Sequence, residues 1–191
     1  KKILAERIQS IDEKNNDVNT WLVEYYFSNK NYSQAINAGS LLVDSGNESE
    51  AVFLSRGQSY RALGQQENAI NDFLSIVARN EKNEEAFLLL GKSYGSLGRF
   101  DLSVAAFNKA LMLNPKNVDA LLFVGVASAA NGNSDESYGF LRQALVLSKA
   151  RKNDLKSKII INAMHSTDTF SRLSTEDKNF LKLEELSKPG G

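Results

Sequence analysis

The chain contains no cysteine. That rules out disulfides, thiolate nucleophiles and cysteine-ligated zinc, and it leaves a reducing cytoplasm and an oxidising periplasm or other envelope space equally compatible. Histidine occurs once, at His165, and no HExxH, glycine-rich phosphate loop or GxSxG is present. The carboxylates do not converge: Glu84 with Glu85 and Glu184 with Glu185 are adjacent, so on a helix each pair points apart. The expectation is a chain that is not an enzyme and holds no cofactor and no metal. Neither sign of charge is in excess, with Lys+Arg 23 against Asp+Glu 23. No whole-molecule field then draws the chain to nucleic acid or to an anionic membrane, and nucleic acid is not expected as a partner. No apolar run approaches the roughly 18 residues of a spanning helix, and no charged-then-apolar leader is visible. The chain starts at Lys1 without Met, which leaves room for a leader, an anchor or a neighbouring domain in a longer protein.

What the chain does have is a period. Its 191 residues, 42% hydrophobic and 24% charged, suffice for one soluble globular domain with a sizeable core. Within it Gly57, Gly91 and Gly125 stand 34 apart (91−57, 125−91), as do Gly64, Gly98 and Gly132. Phe53, Phe87 and Leu121 share the spacing, and so do Phe73, Phe107 and Leu141. The stretch from Glu84 to Lys116 states the unit most fully, with Phe87, Leu90, Gly91, Tyr94, Gly98, Ser103, Phe107, Ala110 and Pro115 in order. A self-similarity of this length marks a repeat architecture.

These residues at these offsets resemble the tetratricopeptide repeat family, whose unit is a helix-turn-helix. The resemblance implies an all-α fold, a right-handed solenoid of antiparallel helix pairs, with protein binding as its general use. Regular repeats are expected over 50–83, 84–117 and 118–151. A degenerate first repeat spans 16–49: Leu22, Tyr26 and Ala35 fit, but Asn19 and Gly39 stand where aromatics are usual. Residues 1–15 hold a helix, with Ile3, Leu4, Ile8 and Ile11 on one side, that is either a lone cap or the second helix of another repeat. Trp21, Tyr25, Tyr26 and Phe27 either fill gaps against that helix or mark an interface.

In each regular repeat a first helix is expected to end before Gly64, Gly98 or Gly132, where a residue without Cβ permits a left-handed cap. The second helix returns through Ala69, Ser103 or Ser137, small enough to let two axes approach. Glycine within a helix is unfavourable by up to about 1 kcal/mol against alanine, so Gly57, Gly91 and Gly125 imply a steric need. From Ser148 the 34-residue template fails. Leu155, Ile159, Ile160, Ala163 and Met164 suggest an amphipathic capping helix closing at His165 to Asp168. Ser174 with Asp177 starts a last helix carrying Phe180, Leu181, Leu183 and Leu186. Thus 152–187 reads as C-terminal capping helices and 188–191 as a tail, the whole forming one domain.

The resemblance also points to residues. Positions that face the concave groove in that family are held here by Thr20, Glu24 and Phe27, by Leu54, Gln58 and Arg61, by Glu85, Leu88 and Lys92, and by Asp119, Leu122, Val126, Ala129 and Ala130. Leu54, Leu88 and Leu122 make a row, with Gln58, Arg61 and Lys92 beside it. An apolar stripe with a few polar anchors suits an amphipathic helix or an extended peptide; the alternative is that these leucines pack within the array or under the last helix. The clamp that chaperone-binding members use for a terminal carboxylate is not matched, since Thr20, Glu24, Ser55, Glu85 and Leu89 occupy its places. Lys149, Arg151, Lys152, Lys156 and Lys158 cluster around Asp154, and without interleaved aromatics they read as a solvated helix face.

The functional expectation is a non-enzymatic adaptor that binds a protein segment in the groove. Two rivals stand beside it. One is a structural component that joins copies of itself, through the first repeat or the terminal helices, or sits in a secretion, pilus or cell-envelope complex. The other is the interaction domain of a longer enzyme.

Overall fold

Asparagine and serine set the beginnings of the first helices. Asn15, Ser49, Asn83 and Asn117, each 34 residues from the last, accept a hydrogen bond from the backbone N–H three residues on, at 3.1, 3.4, 2.9 and 2.9 Å. Each satisfies one of the N–H groups that a helix leaves unpaired at its start. The computed structural model describes residues 2–11 and 15–167, and among them every regular element is helical. The first helices are α2 (Asn16–Ser28), α4 (Glu50–Ala62), α6 (Glu84–Ser96) and α8 (Val118–Ala130). The second helices are α3 (Tyr32–Asp44), α5 (Gln66–Arg79), α7 (Phe100–Leu113) and α9 (Ser134–Ala150). Outside these pairs lie α1 (Lys2–Ile11) and α10 (Asp154–Ser166). The helix expected after Ser174 and the tail over 188–191 lie outside the described residues, as does Asp168.

The turn inside each pair is the same left-handed cap. Gly64, Gly98 and Gly132 have φ of +77°, +71° and +84°. The N–H of each bonds three residues back and the next N–H bonds five back, as in Gly98 N to Gly95 O at 3.0 Å and Arg99 N to Tyr94 O at 3.0 Å. The degenerate first repeat puts Lys30 in this place, and it too is left-handed, with φ 60°. The hydrogen-bonding scheme therefore imposes the conformation even where no glycine relieves it.

The chain divides into two compact units, Lys1–Pro115 with α1 to α7 and Lys116–Gly191 with α8 to α10. In the first unit each helix pair packs internally, α3 and α5 also pack on the first helix that follows them, and the first helices touch directly, α2 on α4 and α4 on α6. Phe73 and Phe107 fill the centres of their pairs and are 0% and 2% exposed. Here the steric need at the helical glycines becomes concrete. A Cβ on Gly57 would stand 2.6 Å from Phe73 Cε1, and one on Gly91 would stand 2.6 Å from Phe107 Cε1. The close neighbour is thus a ring of the second helix more than its backbone. Ser103 Oγ adds a buried hydrogen bond to Gly91 O at 2.7 Å.

The first pair reverses the sizes. Val23 takes the glycine's place and Gly39 the ring's, both buried. Part of the vacated space is filled by Arg56 of the next repeat, whose Cδ lies 3.2 Å from where a Gly39 Cβ would be. Arg56 then pairs with Asp72, Nε to Oδ2 at 2.9 Å and Nη2 to Oδ1 at 2.6 Å, and donates to Ser40 Oγ at 3.3 Å. Burial works against the guanidinium's charge, but the hydrogen bond and charge of Asp72 outweigh it and hold Arg56 above its usual value. Of the aromatics in this pair, Tyr25 and Tyr26 meet α1. Tyr26 is buried and its phenol donates to the Glu6 carboxylate, Trp21 stacks on Tyr25 with centroids 5.0 Å apart, and Lys2 lies over both tyrosine rings.

In the second unit α9 has 17 residues where α5 and α7 have 14. This explains why the 34-residue template fails after Ser148. The buried residues of α10, Ser157, Ile160 and Met164, each come 36 after Leu121, Val124 and Ser128, which are buried on α8. The burial pattern of a first helix therefore returns two residues late, and α10 packs on α9 and α8. The expected apolar face of this helix is corrected accordingly: Leu155 and Ile159 are 73% and 44% exposed. Ile160 and Met164 of the expected face are buried, and Ser157 completes the inner side in place of Leu155 and Ile159.

Candidate functional site

The residues implied for binding fall on both units. On α4, Leu54, Gln58 and Arg61 are spaced i, i+4 and i+7, and on α6, Glu85, Leu88 and Lys92 are spaced i, i+3 and i+7, so each set lies on one helix face. Gln58 Nε2 donates to Glu85 Oε1 at 3.4 Å, which shows that the two faces adjoin. Leu54 and Leu88 are half-buried, Leu54 packing against the core of the first unit. Arg61 is half-buried as well, and its Nε is out of contact with solvent and has no hydrogen-bond partner. The side-chain oxygen Oε1 of Gln66, whose amide donates to Arg61 O at 3.5 Å, is unpaired likewise. No pattern in the sequence signals either orphan atom.

The α2 residues behave differently. Thr20 and Glu24 are exposed, and the Thr20 hydroxyl donates back to Asn16 O of its own helix at 2.7 Å. Phe27 is half-buried with its ring centroid 6.2 Å from that of Tyr32. In the second unit Leu122 is 5% exposed and Val126 38%. The row of three leucines is therefore uneven, with Leu122 buried where Leu54 and Leu88 are partly open.

Among the described residues no three His, Cys, Asp or Glu side chains are grouped to hold a metal ion. His165 lies in the last turn of α10. The basic cluster is partly engaged within the second unit: Lys156 pairs with Asp119, and Arg151 Nη2 donates to Lys116 O at 3.0 Å. No helix among the described residues is long and apolar enough to cross a membrane.

Comparison with solved structures gives likenesses at low identity, and these bear on the fold alone. MamA matches with TM-score 0.73 and 21% identity over 78% of this chain and 86% of that one. YrrB, described as a TPR protein with an unusual peptide-binding site, matches with TM-score 0.74 and 19% identity over 86% and 80%. TTC0263, a thermophilic TPR protein of Thermus thermophilus, matches with TM-score 0.59 and 17% identity over 78% and 82%. A comparison with curated protein sequences finds no match. A family model described as tetratricopeptide repeat matches residues 54–111 and 88–154, together more than half of the chain. With its helix pairs, left-handed caps and glycine-to-ring packing in the same register, the chain belongs to the tetratricopeptide repeat family of protein-interaction repeats.

Proposed function

We propose that this chain is a non-enzymatic adaptor whose first unit binds a segment of another protein along the adjoining faces of α4 and α6. The observation that carries this reading is the pair of half-buried leucines, Leu54 and Leu88, at equivalent places on two first helices that touch and are bridged by Gln58 and Glu85. Side chains in that state are supported from below yet offer apolar surface above, as the core of a binding patch does. Arg61 and Lys92 serve as polar anchors beside them, and Thr20, Glu24 and Phe27 on α2, a helix that packs on α4, lengthen the patch. The partner fitting such a row is an amphipathic helix or an extended segment with hydrophobic side chains. The peptide-binding site ascribed to YrrB supports a peptide partner for this fold. On the second unit, Leu122 and Val126 offer apolar surface mainly through Val126, the more exposed of the two.

The test uses Leu54→Glu combined with Leu88→Glu, and Leu74→Glu as control, because Leu74 is 43% exposed on the second helix α5. Partners captured from native extract are identified by mass spectrometry, and folding is checked by circular dichroism. The double variant is expected to lose at least tenfold in capture of the specific partner while Leu74→Glu keeps it. Equal capture by the folded double variant refutes the assignment.

A further inference from the structure

The first helix of the chain keeps the register of a second helix. Its buried Ala5 falls 34, 68 and 102 residues before Gly39, Phe73 and Phe107, which are buried at the centre of α3, α5 and α7. In that register Leu4 corresponds to Ala38, Asp72 and Ala106, and Ile8 to Leu42, Ile76 and Ala110. Those six residues are 1, 3, 7, 0, 0 and 0% exposed, whereas Leu4 is 63% exposed and Ile8 only half-buried. The neighbouring positions follow the register: Ile3 is exposed like Asn37, Asn71 and Ala105, and Ala5 is buried like Gly39, Phe73 and Phe107. Among the described side chains of α1, the surface left uncovered against the register is thus at two places, one turn apart, that every other second helix of this unit buries.

The packing shows what covers those places elsewhere. Helix α3 lies on α2 and α4, and α5 lies on α4 and α6, so each is held by the first helix of its own pair and by the next one. The Cβ of Asp72, the counterpart of Leu4, stands 3.1 Å from the position of a Gly57 Cβ, so this place looks toward the first helix of its own pair. For α1 the following first helix is α2, on which it packs. The cover that α3 and α5 take from the first helix of their own pair has no counterpart on α1 among the described residues. We propose that α1 is the second half of a helix pair, and that Leu4 and Ile8 seat a first helix carried by the polypeptide N-terminal to Lys1. That helix runs antiparallel to α1 and joins it through the three-residue turn found between α2 and α3 and between α4 and α5. Its residue facing Ala5 is bulky, because the one other pair with a small residue there, Gly39, answers it with Val23 rather than glycine. This surface is separate from the adjoining faces of α4 and α6.

The experiment compares the 191-residue chain with the protein expressed from its natural reading frame, by amide hydrogen exchange resolved to α1 and to α5. The longer protein is expected to exchange its α1 amides at least tenfold more slowly, with α5 unchanged. Leu4→Asp removes that protection and Ile3→Asp leaves it, although Ile3 is the more exposed; the protection of α5 verifies that both variants are folded. The proposal is overturned by equal α1 exchange in the two proteins, or by a reading frame with no amphipathic helical stripe before Lys1. It is also overturned by a dimer of the 191-residue chain that Leu4→Asp dissociates, since a second copy would then own the face.

Discussion

Placing a methyl group on Gly91 should change sign in its effect on stability when the Phe107 ring is removed. In the native chain the added Cβ would stand 2.6 to 2.7 Å from three atoms of a ring that is 2% exposed. Overpacking of that kind is unfavourable by about 1–3 kcal/mol, against a helix-propensity gain of about 1 kcal/mol for alanine over glycine. Gly91→Ala alone should therefore destabilise, by up to about 2 kcal/mol. Phe107→Ala alone should remove about 3–5 kcal/mol through lost burial and the cavity left behind. In that cavity the methyl no longer meets the ring, so Gly91→Ala added to Phe107→Ala should stabilise by roughly 1 kcal/mol. The coupling between the sites is then the overpacking itself, about 1–3 kcal/mol, within the range for contacting residues. Urea denaturation followed by far-UV circular dichroism measures all four proteins, with the slopes compared because repeat arrays can lose cooperativity. If Gly91→Ala has the same sign with and without the ring, the glycine does not serve the ring, and the centre of the repeat is held in some other way.

The Arg56–Asp72 pair gives a related expectation. Its side chains are 13% and 5% exposed, so Asp72→Ala strands a charge and should destabilise by about 3–5 kcal/mol. Replacing both with their repeat-three counterparts (Arg56→Leu with Asp72→Ala, after Leu90 and Ala106) should recover most of that loss in chemical denaturation; no recovery would show that the pair's charge is not the issue. Tyr26 provides a pH signature. Burial, then the hydrogen bond and charge of Glu6, raise its phenol from 10.0 to about 12. The folded chain holds that proton more tightly than the unfolded one, so its contribution to stability is whole below about pH 10 and is lost as pH climbs through 12. Absorbance of tyrosinate should show one of the six tyrosines ionising last, and Glu6→Gln should bring it earlier. Coincident ionisation of all six counts against the buried contact.

Much of the fold was legible because the repeat writes the same physical demand several times. A glycine every 34 residues at 64, 98 and 132 marks a left-handed cap, and the helical glycines at 57, 91 and 125 mark a close approach, whatever surrounds them. The candidate site was less legible. Position in the repeat named Leu54, Leu88 and Leu122 alike, yet Leu122 is buried and the other two are half-open, because exposure depends on what packs around a side chain and not on its offset. Leu155 and Ile159 looked like part of the inner face of α10 by hydrophobic spacing alone, and they point outward because the longer α9 delays the burial by two residues. Lys30 shows the reverse case, where no glycine advertises the turn and the hydrogen bonds of the cap impose it.

Taken by itself, the order of residues determined the helices, their pairing and their family, since capping, periodicity and glycine placement act over a few neighbours along the chain. Only the tertiary structure decided that Arg56 leans into the space above Gly39 and finds Asp72, and that Gln58 meets Glu85 across two first helices. It also decided that Leu4 and Ile8 lie open where their counterparts are covered. Those facts depend on which side chains meet across separate helices, and such meetings, more than any local preference, govern burial, charge pairing and the surface left for a partner.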